Sequence, residues 1–474
     1  MSENVTGAEF NVPVFEEFVK SLIEEHNAPG LAVGVISGGN VIYCRGFGYR
    51  DLDKKLPVTE NTVFGIASVS KSFTALGILQ LSEKGLVSIE HPVKRYLPEF
   101  GLPDPAMADR VTIHNFLTHT SGIPPLPSLD YAIIESTPPD EKDKKELESE
   151  GVPEKRPSMK TPEDLMKFIA THEYKLLGVP GQYLSYSNDA YGLLGTIIER
   201  VSGKDYETYL RENILDPLEM DHTTTLLRKV KGFPDVTELY YKDREDKLCT
   251  TKNWQEAPAL TACGFLRSNV KDLLKYVQMY LGRGVYAGRR IASGDSISRM
   301  ITPYYPYVRD SWYGYGFSVR PAYGPGVTLV QHSGLLRGVA SNLGFVPEKG
   351  IGAVVLCNLS GFPSSKVWLG AVNLLLGLPV DHPITEAATV EIPESRMARI
   401  SGRYKSGEGA DIKISIQGKE LVAEIDSKTY PLRMTGPDTA VVTIKGVDSH
   451  LRFLFDPDGK VWAMGYGSRI IYRA

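Results

Sequence analysis

From Met397 onward the chain never returns to a helical rhythm. Short alternating runs at Gly402 to Tyr404, Ile412 to Ile416, Leu421 to Ile425, Thr429 to Met434, Ala440 to Ile444, Leu451 to Phe455, Val461 to Tyr466 and Ile470 to Tyr472 are separated by turns such as Gln417-Gly418 and Asp456-Pro457-Asp458-Gly459. Alternation gathers the apolar residues of each run on one face, and eight such faces at this spacing are buried together by an antiparallel barrel or a sandwich. Pro383, Pro393 and the small residues of Thr385 to Glu394 read as a linker. The 474 residues thus divide into a first domain over 1–384, a linker over 385–396 and an all-β domain over 397–474, expected to be a barrel.

The first domain mixes periods. Phe15, Phe18, Val19, Leu22 and Ile23 recur at helical spacing within Val14 to His26. Leu31 to Ile36 and Val41 to Phe47 flank a Ser37-Gly38-Gly39-Asn40 turn and predict a hairpin. Helices are predicted over Ser70 to Lys84, Pro162 to His172, Asp189 to Ser202, Tyr206 to Ile214, Val270 to Leu281 and Lys366 to Leu376. Strands return at Gly314 to Arg320, Thr328 to His332, Ala340 to Pro347 and Ile351 to Asn358. Strands at both ends with helices between predict an α+β domain, with one antiparallel sheet made by the two ends and a helical region inserted. Pro124 to Ser158, with Asp140 to Glu146 at its centre, reads as a solvated excursion, and the 124–160 insertion as a lid is the alternative.

Composition removes several function classes. With 53 Lys+Arg against 57 Asp+Glu the net charge is -4, so there is no general attraction for phosphate and no nucleic-acid partner is expected. A hydrophobic share of 42% and a charged share of 23% are those of a globular chain. Cys44, Cys249, Cys263 and Cys357 form no CxxC pair and have no histidine at ligand spacing, so core thiols are expected rather than a metal site or disulfides. The segment up to Asn27 carries Glu3, Glu9, Glu16, Glu17, Glu24 and Glu25 against Lys20, the reverse of a secretory n-region. Val367 to Val380 is too short to span a bilayer. The expectation is a cytoplasmic protein without a membrane partner.

Three segments carry chemistry. In Phe64-Gly65-Ile66-Ala67-Ser68-Val69-Ser70-Lys71, Ser68 and Lys71 lie three apart at the opening of a helix, so both side chains leave one face of its first turn. A lysine so placed can take the proton of a serine nucleophile, and the helix N-terminus favours developing negative charge. Ser70 has Phe73 at the same spacing, so Ser68 is preferred as the nucleophile. Tyr186 and Asn188 stand two apart before another helix, a phenol to relay a proton and an amide to bind a substrate. His332-Ser333-Gly334 ends a strand, where Gly334 admits a substrate backbone and the Leu335 N–H pairs with that of Ser68 as an oxyanion hole. Arg337 is read either as a carboxylate contact or as a solvated arginine. His114 and His119 are expected to satisfy backbone groups, Cys263 to be a packed thiol, and the aromatics of Tyr304 to Trp312 either to line a pocket or to pack.

These motifs, in this order, resemble the serine β-lactamase and penicillin-binding-protein superfamily, in its class C β-lactamase-like and D-aminopeptidase/esterase branch, whose site is built from SxxK, YxN and KTG or HxG. Pro29-Gly30-Leu31-Ala32-Val33, Leu117-Thr118-His119-Thr120-Ser121-Gly122, Pro217-Leu218-Glu219-Met220 and Gly344-Phe345-Val346-Pro347-Glu348-Lys349 are similar to its accessory signatures. The resemblance implies a β-lactamase/transpeptidase-like fold and a serine hydrolase without metal or cofactor. Ser68 would be acylated, Lys71 and Tyr186 would handle its proton, and Asn188 would orient the scissile group. His332 stands where many relatives carry lysine and matches the HxG variant; protonated, it would meet a substrate anion. A small peptide, amide or ester is the implied substrate, with a β-lactamase, a penicillin-binding protein or an inactive scaffold as alternatives, and a homo-oligomer left open. The C-terminal segment is similar to lipocalin-like barrels appended to some members, and no catalytic chemistry is read in it.

Overall fold

The computed structural model describes residues 9–137, 153, 155–251, 253–384, 388–444 and 447–474. A nine-stranded antiparallel sheet forms the centre of the first domain. In chain order its strands are β1 (Gly30–Ser37), β2 (Asn40–Asp51), β3 (Leu56–Pro57), β4 (Tyr305–Val308), β5 (Ser311–Tyr313), β6 (Ser318–Tyr323), β7 (Val327–Leu336), β8 (Val339–Val346) and β9 (Ile351–Cys357). Their spatial order is β4-β5-β6-β7-β8-β9-β1-β2-β3, so β1 lies against β9 and the two ends of the domain close one sheet. The near-continuous apolar run of β1 follows from this position, since both of its faces are covered. Leu31, Val33 and Val35 pack on α1 (Val12–His26) and α6 (Ser364–Leu375), through Phe15, Val19, Val367 and Trp368. On the other face, Val354 and Leu356 share a core with α2 (Ser70–Glu83), α4 (Asn188–Ser202) and α5 (Val270–Leu281).

Helix α2 is buried on every side from Ser70 to Leu81, which explains why its sequence has no strong polar face. A helix held this way fixes the residues at its N-terminus. Two differences from the sequence reading matter here. The strand expected at Gly314 to Arg320 is Ser318–Tyr323, and the aromatics before it form β4 and β5 at the sheet edge. Within the stretch expected as a solvated excursion, Ser128–Ser136 is a helix, α3, with Ser128, Tyr131, Ala132 and Ile134 buried. Its apolar face outweighs the flanking charge; the charged centre Asp140 to Glu146 lies outside the described residues.

The C-terminal segment is a closed antiparallel barrel of β10 (Gly402–Lys405), β11 (Asp411–Gln417), β12 (Glu420–Ile425), β13 (Lys428–Met434), β14 (Thr439–Ile444), β15 (Val447–Phe455), β16 (Val461–Tyr466) and β17 (Arg469–Arg473). Pairing of Tyr404 with Arg473 closes it. Its interior is filled by Tyr404, Ile412, Ile414, Ala423, Phe453, Met464 and Ile471, as expected of a barrel this narrow. Helix α7 (Glu394–Ile400) precedes it, with Ile400 buried in the same core and its carbonyl accepting from Tyr404 Oη at 2.7 Å. Among the described residues no helix is long and apolar enough to cross a membrane.

Candidate active site

Ser68 occupies the single 3₁₀ turn Ala67–Val69 that feeds α2, and Lys71 lies in the first turn of the helix. Their spacing brings Lys71 Nζ to 3.3 Å from Ser68 Oγ. The same ammonium donates to Asn188 Oδ1 at 2.9 Å and to the Cys263 carbonyl at 2.6 Å. All three acceptors are uncharged, and among the described residues no carboxylate forms an ion pair with Lys71, although its side chain is fully buried. The rings of Tyr186 and Tyr191 lie 4.7 and 5.6 Å from Nζ. Asn188 is the first residue of α4, so the Tyr186-to-Asn188 segment is held by a helix start just as Ser68 is.

The turn before Ser68 is strained. Ala67 has φ 44°, a left-handed conformation that costs a side-chain-bearing residue energy and persists only where neighbours impose it. Strand β7 does so. Ser341 Oγ donates to the Ile66 carbonyl at 2.7 Å, and a Cβ on Gly334 would lie 2.3 Å from that carbonyl oxygen. The space at Gly334 is therefore taken by the chain's own turn before Ser68, which corrects the expectation that it admits a substrate backbone. Strand β6 pairs with β7 only as far as Gln331, so from His332 onward one edge of β7 has no strand beside it. Alternation turns Ser333 and Leu335 outward, and both line, with Ser68, Tyr186, Asn188 and His332, a cavity of about 540 Å³.

His332 overturns one expectation. Its Nδ1 lies 2.6 Å from the Ser333 carbonyl, which can only accept, so Nδ1 carries the proton and Nε2 accepts from Tyr313 Oη at 2.9 Å. Burial first, and then the Lys71 charge, push its pKa down to about 3. His332 is thus neutral at physiological pH and supplies no charge for a substrate anion. Arg337 also departs from the carboxylate-contact reading: its guanidinium lies 3.7 Å from the Tyr241 ring centroid, and it borders a separate small pocket beside Trp254 and Gln255. His119 does serve the backbone, accepting from Ser187 N at 3.0 Å, whereas His114 bonds the side chain of Tyr315 at 2.8 Å. Cys263 is a packed thiol, raised to about 11 by burial. Of the aromatics left undecided, Tyr307 lines the cavity and Tyr304 stacks on Tyr315.

Two groups were not foreseen. Tyr313 orients His332, and the barrel contributes Gly467, Ser468 and Arg469 to the cavity wall. The Ser468 carbonyl accepts from Tyr186 N at 2.8 Å, Ile470 N donates to Ser185 Oγ at 3.1 Å, and the Arg469 guanidinium stands 4.9 Å from the Tyr186 ring centroid. A turn of the form Gly-Ser-Arg between two short strands carries no local mark of this role; only the docking of the barrel reveals it.

The fold is that of a β-lactamase/transpeptidase-like protein carrying a C-terminal closed barrel. The β-lactamase family model matches residues 15–375, and the chain belongs to that family. It is 31% identical to the octameric penicillin-binding protein homologue from Pyrococcus abyssi, with a TM-score of 0.70 over 98% of this chain and 100% of that one. It is 24% identical to penicillin-binding protein 4* of Bacillus subtilis, over 86% of each chain. Protein flp of Staphylococcus aureus strain MW2 is 26% identical over 71% of this chain, which spans 61% of that relative's length.

Proposed function

We propose that the protein is a serine hydrolase that forms an acyl-enzyme at Ser68 and cleaves amide bonds of small or D-residue-containing peptides, or simple esters. The observation that carries this reading is the buried Lys71 ammonium, hydrogen-bonded to Ser68 Oγ at 3.3 Å and met by uncharged acceptors. Once Lys71 has given up a proton the contact reverses, and the amine takes the hydroxyl proton as Oγ attacks the carbonyl carbon. Tyr186 shares the transfer and returns the proton to the leaving amine or alcohol. Water then attacks the ester to Ser68, and the same groups restore the serine. Ser68, Tyr186 and Asn188 line one cavity, and Lys71 is hydrogen-bonded to Ser68 and Asn188, which supports an active enzyme over a scaffold. A homo-oligomer is part of the proposal, supported by the octameric Pyrococcus abyssi homologue.

The test is covalent. A fluorophosphonate should add one mass increment to the wild type at Ser68 and none to Ser68→Ala. Lys71→Ala should lose about as much turnover as Ser68→Ala, roughly 10³-fold or more, because residues acting as a unit are not additive. Turnover above a few per cent of wild type in Ser68→Ala would remove the assignment.

A further inference from the structure

The Tyr186 ring is flanked by two cations that come from opposite ends of the sequence. Lys71 Nζ lies 4.7 Å from its centroid and Arg469 Cζ 4.9 Å. The Tyr186 hydroxyl is buried and has no hydrogen-bond partner among the described residues. The other titratable groups packed around this ring are His119 from the loop that follows the short helix Ile113–Leu117, Tyr191 from α4, and Tyr307, Tyr313 and His332 from the sheet. Burial and the Lys71 charge hold both histidines in the neutral form. Among the described residues, Lys71 and Arg469 are therefore the cations that stand over the ring of this phenol.

Arg469 is itself held in place. Its Nε donates to Glu408 Oε2 and its Nη2 lies 3.4 Å from Glu408 Oε1, so one barrel loop fixes the guanidinium that another presents. Glu408 in turn acts electrostatically on Asp189, and Asp130 acts on Arg469, so these carboxylates belong to the same charge cluster as the guanidinium. A cation over an aromatic face is attracted to it, and more strongly once the hydroxyl has ionised.

We propose that Arg469, contributed by the barrel, is a positioning residue for Tyr186: its fixed charge favours the ionised phenol during proton transfer with Ser68, so that the barrel completes the proton-handling machinery of the first domain. This rests on the serine hydrolase reading above. It gives the barrel a part in the chemistry of even the smallest substrate, which a passive module or a cover would not have.

The experiment is the pH dependence of kcat/KM for a small uncharged ester, in wild type, Arg469→Lys and Arg469→Gln. Removing a positive charge makes any deprotonation near it harder, whichever of Tyr186 and Lys71 releases the proton. The acid limb of Arg469→Gln should therefore move up by about one pH unit. Arg469→Lys breaks the fork to Glu408 but keeps the charge, and its limb should stay within about 0.3 pH unit of wild type. Lys and Gln variants that lose rate by one factor at every pH would reduce Arg469 to a structural brace and overturn the proposal. So would a defect confined to esters carrying a free carboxylate, which would make Arg469 a substrate anchor. If Arg469→Gln does not fold, Glu408→Gln decides: with the anion gone and Arg469 kept, the limb should move to lower pH, and no movement or a rise overturns the proposal. Fluorophosphonate labelling of wild-type Ser68 separates the two readings, since an unlabelled wild type defeats the hydrolase and a labelled one with an unshifted Arg469→Gln defeats only the role of Arg469.

Discussion

At the scale of single residues, His332 has the most direct consequence for solution behaviour. Its imidazole is 7% exposed, bonded at both nitrogens, and pushed down to about 3 by burial and by Lys71. Neutral His332 cannot distinguish anionic from neutral substrates by charge. The ratio of the two turnover rates should therefore be flat, as far as this group is concerned, between about pH 6 and 8, far above its folded value. A ratio that falls with a midpoint near 6.5 in wild type and not in His332→Gln would show the imidazole titrating in place. The same burial makes His332→Lys destabilising, by on the order of 2 kcal/mol, because it sets a second ammonium beside Lys71, and a calorimetric melt would read it as a lowered Tm. What the sequence made legible at this scale was what is local. Ser68 in the 3₁₀ turn and Lys71 in the first turn of α2 are three residues apart, and Tyr186 and Asn188 share one helix entry, so local spacing brought each pair together. Charge state was illegible, because it depends on Tyr313 and on burial contributed by distant segments.

Among the elements, the join of α3 to α4 holds a buried acid. Asp189 accepts from Ser128 Oγ at the start of α3 and from Ser187 Oγ, and burial outweighs these bonds, raising its pKa from 3.8 to about 6. Between about pH 4 and 6 the native state holds a proton that the unfolded chain has released. This site therefore makes stability fall as pH rises through that window, by on the order of 1–3 kcal/mol. Asp189→Asn should flatten that part of the Tm-against-pH curve, and an equal slope in both proteins would clear Asp189 of the effect. Helices α1, α2, α4, α5 and α6 were legible from their apolar spacing, as were β1 and the barrel strands from alternation. Helix α3 was not, because proline and charge on either side dominate the composition of that window while Tyr131, Ala132 and Ile134 supply the buried face. Strands β4 and β5 were missed for a different reason: an edge hairpin of mixed aromatic and polar residues has no uniform alternation to detect.

For the whole molecule, the seam between barrel and first domain decides what a truncated chain can do. Leu177, Ala463 and Ile470 are buried together there, flanked by Tyr183, Trp462 and Tyr472. Truncation after Pro383 uncovers Leu177 and Tyr183 and removes the Ser468 carbonyl from Tyr186 N and the Arg469 charge from its ring. The shortened chain should melt cooperatively yet hydrolyse a small chromogenic ester at least about 10-fold more slowly than the full chain, the loss of one buried hydrogen bond and one cation contact being worth that much or more. A truncated protein that melts cooperatively and keeps full activity on the small ester would leave the barrel with a role only toward larger substrates. The bond from Ile470 N to Ser185 Oγ joins residues 285 apart in the chain. A ribosome adding about 5–20 residues per second needs roughly 15–60 s to pass from one to the other. For most of that interval Ser68, Lys71 and Asn188 have been made while the wall that braces Tyr186 has not, so on the reading proposed above a half-synthesised chain carries its serine and lysine with the site unfinished, and full activity waits for the barrel.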